Sequence, residues 1–155
     1  MMRLTIRGEY PADWKAISRR VRDEAGDRCI RCNHPSDRPR RLVPCDDDCR
    51  HAPDARQRML TVHHLDGDKS NVAWWNLLAL CQVCHLTVQA RVVPERPWLL
   101  EHTPWFLPYV CGFYASHYGG RQITREQAVA DRERWLALGQ PWRESAAKEG
   151  ACAGS

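Results

Sequence analysis

The sequence has no apolar run that approaches the length of a membrane-spanning helix. Its most apolar stretch, 105–114, is short and is interrupted by Pro108. The amino terminus also lacks the long apolar segment of a secretory signal peptide. We therefore expect a soluble protein of a reducing cytoplasm, without a membrane partner, in which the eight cysteines do not form disulfides.

Lysine is also scarce, because the chain has three lysines against twenty arginines at a formal net charge of +4. The positive excess lies in the first sixty residues, which hold fourteen Lys or Arg against ten Asp or Glu, whereas the remainder holds nine of each. The guanidinium group of arginine is suited to bidentate phosphate contacts. This composition is compatible with an acidic partner such as nucleic acid.

The apolar periodicity predicts one small α+β domain at 1–93. A helix is expected at 10–25, strands at 59–63 and 76–80, and a second helix at 81–91. The region 33–58 is rich in Pro, Asp and Arg and shows little periodicity. We interpret it as a long inserted loop.

A helical extension is predicted at 94–142, packed on the core. It should contain a buried apolar helix, followed by one final helix that ends at Gly139. The start of that final helix is marked by a capping box, in which Thr124 is followed three residues later by Gln127. The polar tail 143–155 is expected to be disordered.

Two Cys-x-x-Cys pairs predict a structural zinc site. They are Cys29 with Cys32 and Cys81 with Cys84, and four thiolates in two such pairs are what tetrahedral Zn²⁺ requires. The 48 residues between the pairs exceed ordinary zinc-finger spacing, so the intervening chain has to loop out and return. The alternative is that these are unliganded buried cysteines.

A further group of metal-competent residues lies inside the inserted loop. Cys45, Cys49 and His51 are close in sequence and would need one more ligand to complete a second zinc site. The three consecutive aspartates between the cysteines favour a solvated loop. We expect no metal there.

Three histidines remain unexplained by the zinc site. His63 and His64 end the first predicted strand, and His85 directly follows the second cysteine pair. Neighbouring residues on a strand point to opposite sides, so one histidine can hold a metal while the other faces a water molecule. This arrangement suits a metal-dependent hydrolase. The alternative is that all three are surface or core histidines beside a zinc knuckle.

The order Cys-x-x-Cys, His-His, Asn, Cys-x-x-Cys-His resembles the HNH endonucleases with a ββα-metal (His-Me finger) core. It particularly resembles small phage-encoded members whose core is held together by a four-cysteine zinc site. The resemblance covers about 14–92 and is carried by the motifs HHLDGDKSN, WWNLLALC and CQVCH. It implies DNA as the partner and a place in the cytoplasm of a bacterial host cell. The region after 93 is similar to extensions of phage members, at lower specificity.

The resemblance also implies roles for individual residues. His64 matches the general base, Asn76 the asparagine that braces the hairpin, and His85 the final histidine that ligates the catalytic divalent metal. His63 occupies a position where many members have Asp, but the colicin-type nucleases of this superfamily have a similar His-His pair. We therefore expect His63 to be a second ligand, with the choice among Mg²⁺, Mn²⁺, Ni²⁺ and Zn²⁺ left open.

Two basic residues are candidate phosphate contacts. Lys69 follows the turn after the histidine pair, and Arg91 ends the second helix of the core. A solvated role is an equal alternative for both. Trp74 and Trp75 are expected to pack in the hairpin rather than to stack on bases.

The leading hypothesis is a metal-dependent DNA endonuclease that nicks one strand or cuts both, the latter as a homodimer or with a partner. The alternative is a catalytically silent, zinc-stapled nucleic-acid-binding protein, for example an accessory factor in phage DNA packaging. An intact His64 and His85 favour the enzyme.

Overall fold

The computed structural model describes residues 8–36, 59–91 and 103–141. The chain divides into two compact units, Met1–Arg91 and Val92–Ser155, and each is described separately. This division lies two residues before the predicted domain boundary. The packing of the extension on the core stays a prediction. The predicted disorder of the tail 143–155 also stays a prediction, because the tail lies outside the described residues.

The first unit begins with helix α1, Trp14–Glu24. It starts later than predicted, with the Trp14 amide bonded to the Pro11 carbonyl. It ends where Gly26 takes a left-handed φ of 64°. The Gly26 and Asp27 amides then donate to the carbonyls of Asp23 and Arg22, which is the Schellman arrangement of a helix C-terminus. The predicted stop at Gly26 is confirmed.

The centre of this unit is a two-stranded antiparallel hairpin. Strand β1 spans Leu60–His64 and strand β2 spans Leu77–Cys81, with Leu60 opposite Cys81 and His64 opposite Leu77. Both strands begin and end one residue later than predicted. The later start of β2 arises because Asn76 belongs to a 3-10 turn, Trp74–Asn76, so the returning strand starts only at Leu77.

Helix α2, Gln82–Arg91, follows β2 without a connecting loop. Helices α1 and α2 both pack on the hairpin. The fully buried side chains of the unit include Leu60, Leu65, Leu78 and Leu80, so the apolar core lies along the hairpin. The packing on this core places the first residue of α1, Trp14, beside His64, and it places His85 in the first turn of α2 beside His63.

The structure assigns the start of the predicted inserted loop to the first cysteine pair. The Cys29 amide donates to the His34 carbonyl at 2.9 Å, and the Ser36 amide donates to the Asp27 carbonyl at 2.7 Å. Residues 33–36 therefore belong to the knuckle. The rest of the loop lies outside the described residues, with Cys45, Cys49 and His51 in it, and its assignment stays a prediction.

The described part of the second unit is helical. Helix α3, Leu107–His117, is buried from Tyr109 to Ala115 and packs against two shorter helices, α4 at Arg125–Ala130 and α5 at Arg132–Leu138. This confirms the predicted buried helix. Gly139 closes α5, and a side chain there would collide with the Tyr114 ring, so only glycine fits.

The prediction of a single final helix is wrong, because the structure has two helices there, α4 and α5. The capping box is present, because the Thr124 hydroxyl accepts from the Gln127 amide and the Gln127 side chain accepts from the Thr124 amide. The helix is interrupted at Asp131, which has φ −109° and ψ 33°. Asp is a weak helix former, and the Trp135 indole nitrogen donates to the Gln127 carbonyl beside this break at 3.2 Å.

No helix among residues 8–36, 59–91 and 103–141 is both long enough and apolar enough to cross a membrane.

Candidate metal centre and histidine cluster

Four cysteine sulfurs meet in the first unit. The Sγ atoms of Cys29, Cys32, Cys81 and Cys84 all lie within 4.8 Å of one another. Those of Cys32 and Cys81 are 3.8 Å apart. A Zn–S bond of ~2.3 Å in a tetrahedron gives an S–S edge of about 3.8 Å, whereas a disulfide requires about 2.05 Å. The cluster therefore fits a metal ion such as zinc, as the two cysteine pairs predict.

Backbone hydrogen bonds shape the first cysteine pair. The Asn33 amide donates to the Cys29 carbonyl at 2.8 Å, and Asn33 itself is left-handed with φ 60°. The Ile30 amide donates to the Ala79 carbonyl of β2 at 3.0 Å. This bond ties the pair to the hairpin that carries Cys81, so pairs distant in sequence become neighbours in space.

Two donors point at the sulfurs. The Cys84 amide lies 3.5 Å from Cys81 Sγ, and Arg31 Nη1 lies 3.8 Å from Cys84 Sγ. The pKa of Cys29 is lowered, because hydrogen bonds from Cys32 and the other two thiols favour its thiolate. Arg31 adds a positive charge beside four sulfurs that become negative in a zinc site, and outer partners of this kind stabilise metal ligands.

His63 lies in the face of β1 that meets α2. Its ring centroid is 4.7 Å from that of His85, with the rings inclined at 62°. His63 is only 4% exposed, and its buried Nε2 has no hydrogen-bond partner among the described residues. Burial, reinforced by the charges of His85 and His64, lowers the pKa of His63 to about 3. The ring is therefore neutral at physiological pH and retains a lone pair for a metal.

His85 approaches the same strand from the first turn of α2. Its Nδ1 is 2.8 Å from the Thr61 hydroxyl. Burial lowers the pKa of His85 below the ordinary histidine value, so this ring is also biased towards the neutral form. His63 and His85 together offer two neutral imidazoles on facing elements.

His64, the next residue of β1, meets a different set of side chains. Its ring centroid lies 4.9 Å from Trp14 and 5.8 Å from Tyr10, and these two aromatic rings stack on each other at 4.8 Å. His64 is 7% exposed, and its Nε2 is buried without a hydrogen-bond partner among the described residues. Burial lowers the pKa of His64, an effect that the Asp66 and Asp68 carboxylates oppose.

Asn76 holds the loop that connects the two strands. Its side-chain oxygen accepts from the Asp66 amide at 2.8 Å, and its amide nitrogen donates to the Asn71 carbonyl at 2.9 Å. The Asn76 carbonyl also accepts from the Leu65 amide at 2.9 Å. Asn76 is completely buried, so these bonds brace the segment that begins immediately after His64.

The aspartates of the loop have internal partners. Asp66 accepts from the Asp68 amide and from the Asn71 side chain, and Asp68 accepts from the Ser70 amide and hydroxyl. These contacts agree with a structural turn. The Lys69 ammonium lies 5.0 Å from the Tyr10 ring centroid, close to the aromatic pair that covers His64. Arg91 ends α2, and its phosphate contact stays a prediction.

Some residues of the site were not predicted from the sequence. The sequence predicts Tyr10 and Trp14 as part of the first helix and gives no sign of their contact with His64. It predicts no role for Thr61 or Arg31, although a basic residue within a Cys-x-x-Cys pair can indicate a partner of the thiolates. For Thr61 the only signal is its position two residues before His63 on a predicted strand, which places both side chains on one face.

No protein-family model, curated protein or solved structure matches this chain.

Proposed function

We propose that this protein is a metal-dependent endonuclease that hydrolyses DNA phosphodiester bonds, with a structural zinc ion in the four-cysteine cluster. The observation that carries the proposal is the separation of two consecutive histidines. The His63 ring lies against His85, whereas the His64 ring lies against Trp14. His63 can therefore bind a metal together with His85, while His64 is separate from this pair and can transfer a proton.

The His63 and His85 rings suit a divalent metal. The buried Nε2 of His63 has no hydrogen-bond partner among the residues that the structure describes, so this nitrogen is available as a metal ligand. Imidazole favours Zn²⁺, Ni²⁺ or Mn²⁺ over Mg²⁺. A metal bound there supplies positive charge that neutralises the scissile phosphate and the leaving 3′ oxygen.

His64 is assigned the role of general base. A neutral imidazole takes a proton from the attacking water, and the lowered pKa of His64 keeps the ring neutral at physiological pH. Asn76 acts indirectly, because its hydrogen bonds to Asp66 and Asn71 fix the loop after His64. The rings of Tyr10 and Trp14 lie against His64, and we expect this aromatic cover to shift when water reaches the buried Nε2. Tyr10 is 49% exposed and is the less constrained of the two.

The test is nicking of supercoiled plasmid with Mg²⁺, Mn²⁺, Ni²⁺ or Zn²⁺. We expect the wild-type chain to nick, and His64→Ala, His63→Ala and His85→Ala to lose activity while retaining the cysteine-bound zinc. His117→Ala is the matched control, because His117 is an exposed histidine of the second unit. Absence of nicking with every metal, or undiminished nicking by His64→Ala, refutes the proposal.

The burial of His64 favours a second candidate, a zinc-stapled DNA-binding accessory protein without catalysis. In that case the aromatic cover over His64 is permanent packing. The same plasmid experiment separates the two functions, since the accessory protein shifts DNA in a gel but never nicks it.

A further inference from the structure

We infer that Thr61 is a positioning residue, which fixes the tautomer of His85 so that Nε2 is directed to the metal. The inference rests on the proposed metal site of His63 and His85. It assigns Thr61 a role that acts through His85, because the Thr61 hydroxyl contacts His85 Nδ1.

The two contacts of the Thr61 hydroxyl select one tautomer of His85. The hydroxyl oxygen lies 3.1 Å from the Leu80 carbonyl oxygen and 2.8 Å from His85 Nδ1. The hydroxyl has one hydrogen and a carbonyl can only accept, so both contacts are hydrogen bonds only when the hydroxyl donates to Leu80 and accepts from Nδ1–H. In this arrangement Nδ1 carries the proton, and in the neutral ring Nε2 retains the lone pair. A metal at His85 is then bound through Nε2.

The hairpin register explains why the hydroxyl is available for this role. Thr61 pairs with Leu80 across the two strands, so its hydroxyl is anchored to the backbone of β2 close to the start of α2. Thr61 and His63 are two residues apart on β1 and share one face. That face meets His85, whose ring is 4.7 Å from His63. Thr61 thus orients one imidazole while His63 contributes the other.

The inference implies that the metal affinity of the His63 and His85 site depends on the Thr61 hydroxyl. Thr61→Val keeps the shape of the side chain and removes the acceptor, so Nδ1–H is left without a partner and the ring loses its preferred tautomer. Loss of an outer partner of this kind weakens metal binding by about 10–100-fold. Thr61→Ser restores the hydroxyl and should restore the affinity.

The experiment uses the full chain with its cysteine-bound zinc and titrates Ni²⁺ by calorimetry. We expect one further Ni²⁺ site in the wild type, about 10–100-fold weaker binding in Thr61→Val, and near wild-type binding in Thr61→Ser. Zinc content and the thermal melting curve verify that each variant is folded. Undiminished Ni²⁺ affinity in Thr61→Val overturns the inference.

A second readout needs no added metal. A long-range ¹⁵N–¹H correlation spectrum reports which nitrogen of His85 carries the proton. We expect the Nδ1–H form in the wild type and in Thr61→Ser, and loss of that preference in Thr61→Val. An Nε2–H form in the wild type overturns the inference. If the wild type binds no second metal, the metal assignment and the proposed function fail, and the spectrum still decides whether Thr61 sets the tautomer.

Discussion

The sulfur atoms of Cys32 and Cys81 lie 3.8 Å apart, although the two residues are separated by 49 positions in the chain. This separation is that of two ligands on one tetrahedral ion. It brings the end of β2 and the first turn of α2 against the segment that follows α1. The cysteine cluster therefore sets the position of the helix that carries His85.

We expect the purified chain to retain one zinc ion per molecule after mild chelation. Because the cluster joins Cys32 and Cys81, which are 49 positions apart in the chain, Cys81→Ser should lose the zinc and the cooperative unfolding of the first unit. Metal analysis by mass spectrometry and thermal denaturation measure both effects. His117→Ala should retain the zinc, and a wild-type protein that folds without any metal would contradict the prediction.

Asn76→Ala should destabilise the first unit. The Asn76 side chain is completely buried, and its loss leaves the part-buried Asp66 amide and Asn71 carbonyl without their partner, which costs about 2–4 kcal/mol in the free energy of unfolding. Urea denaturation of the zinc-loaded protein measures this difference. Ser70→Ala in the same loop removes only an exposed hydrogen bond and should change it by about 0.5 kcal/mol or less. Equal effects of the two substitutions would show that Asn76 does not brace the loop.

The aromatic cover predicts slow chemical modification of His64. Diethylpyrocarbonate reacts with accessible neutral imidazoles, whereas the Nε2 of His64 is buried and the His64 ring lies against Tyr10 and Trp14. We expect Trp14→Ala to accelerate labelling of His64, whereas Trp14→Phe keeps an aromatic cover and should preserve slow labelling. Peptide mass spectrometry measures the rate, with exposed His117 as the internal reference. Rapid labelling of His64 in the wild type would contradict the described packing.

Cys111 should be nearly inert to alkylation in the folded protein. Burial raises the pKa of its thiol to about 11, although the Arg132 charge opposes this shift. At pH 8 on the order of one thiol in a thousand is then ionised, and labelling should increase as the pH rises towards that pKa. Iodoacetamide labelling followed by peptide mass spectrometry measures the effect, with guanidinium-unfolded protein as the control. Equal labelling rates in folded and unfolded protein would refute it.

Much of the local structure could be predicted because local signals control it. The stop of α1 at Gly26, the capping box at Thr124 and the buried helix α3 all follow from patterns within a few residues. The predicted strands begin and end one residue too early. In the second strand the difference arises because Asn76 belongs to the 3-10 turn that precedes β2. The break at Asp131 is not predicted, because a single weak helix former within an otherwise helical pattern does not by itself end a helix.

The sequence by itself determined the chemical inventory: two Cys-x-x-Cys pairs, adjacent histidines and a third histidine after the second pair. Ligand types and spacing depend only on residue order, so they can be read without coordinates. The tertiary structure alone decided that His63 meets His85, that His64 lies beneath Trp14, and that Thr61 bonds His85 across 24 positions. These contacts depend on how α1 and α2 pack on the hairpin, which local periodicity does not specify.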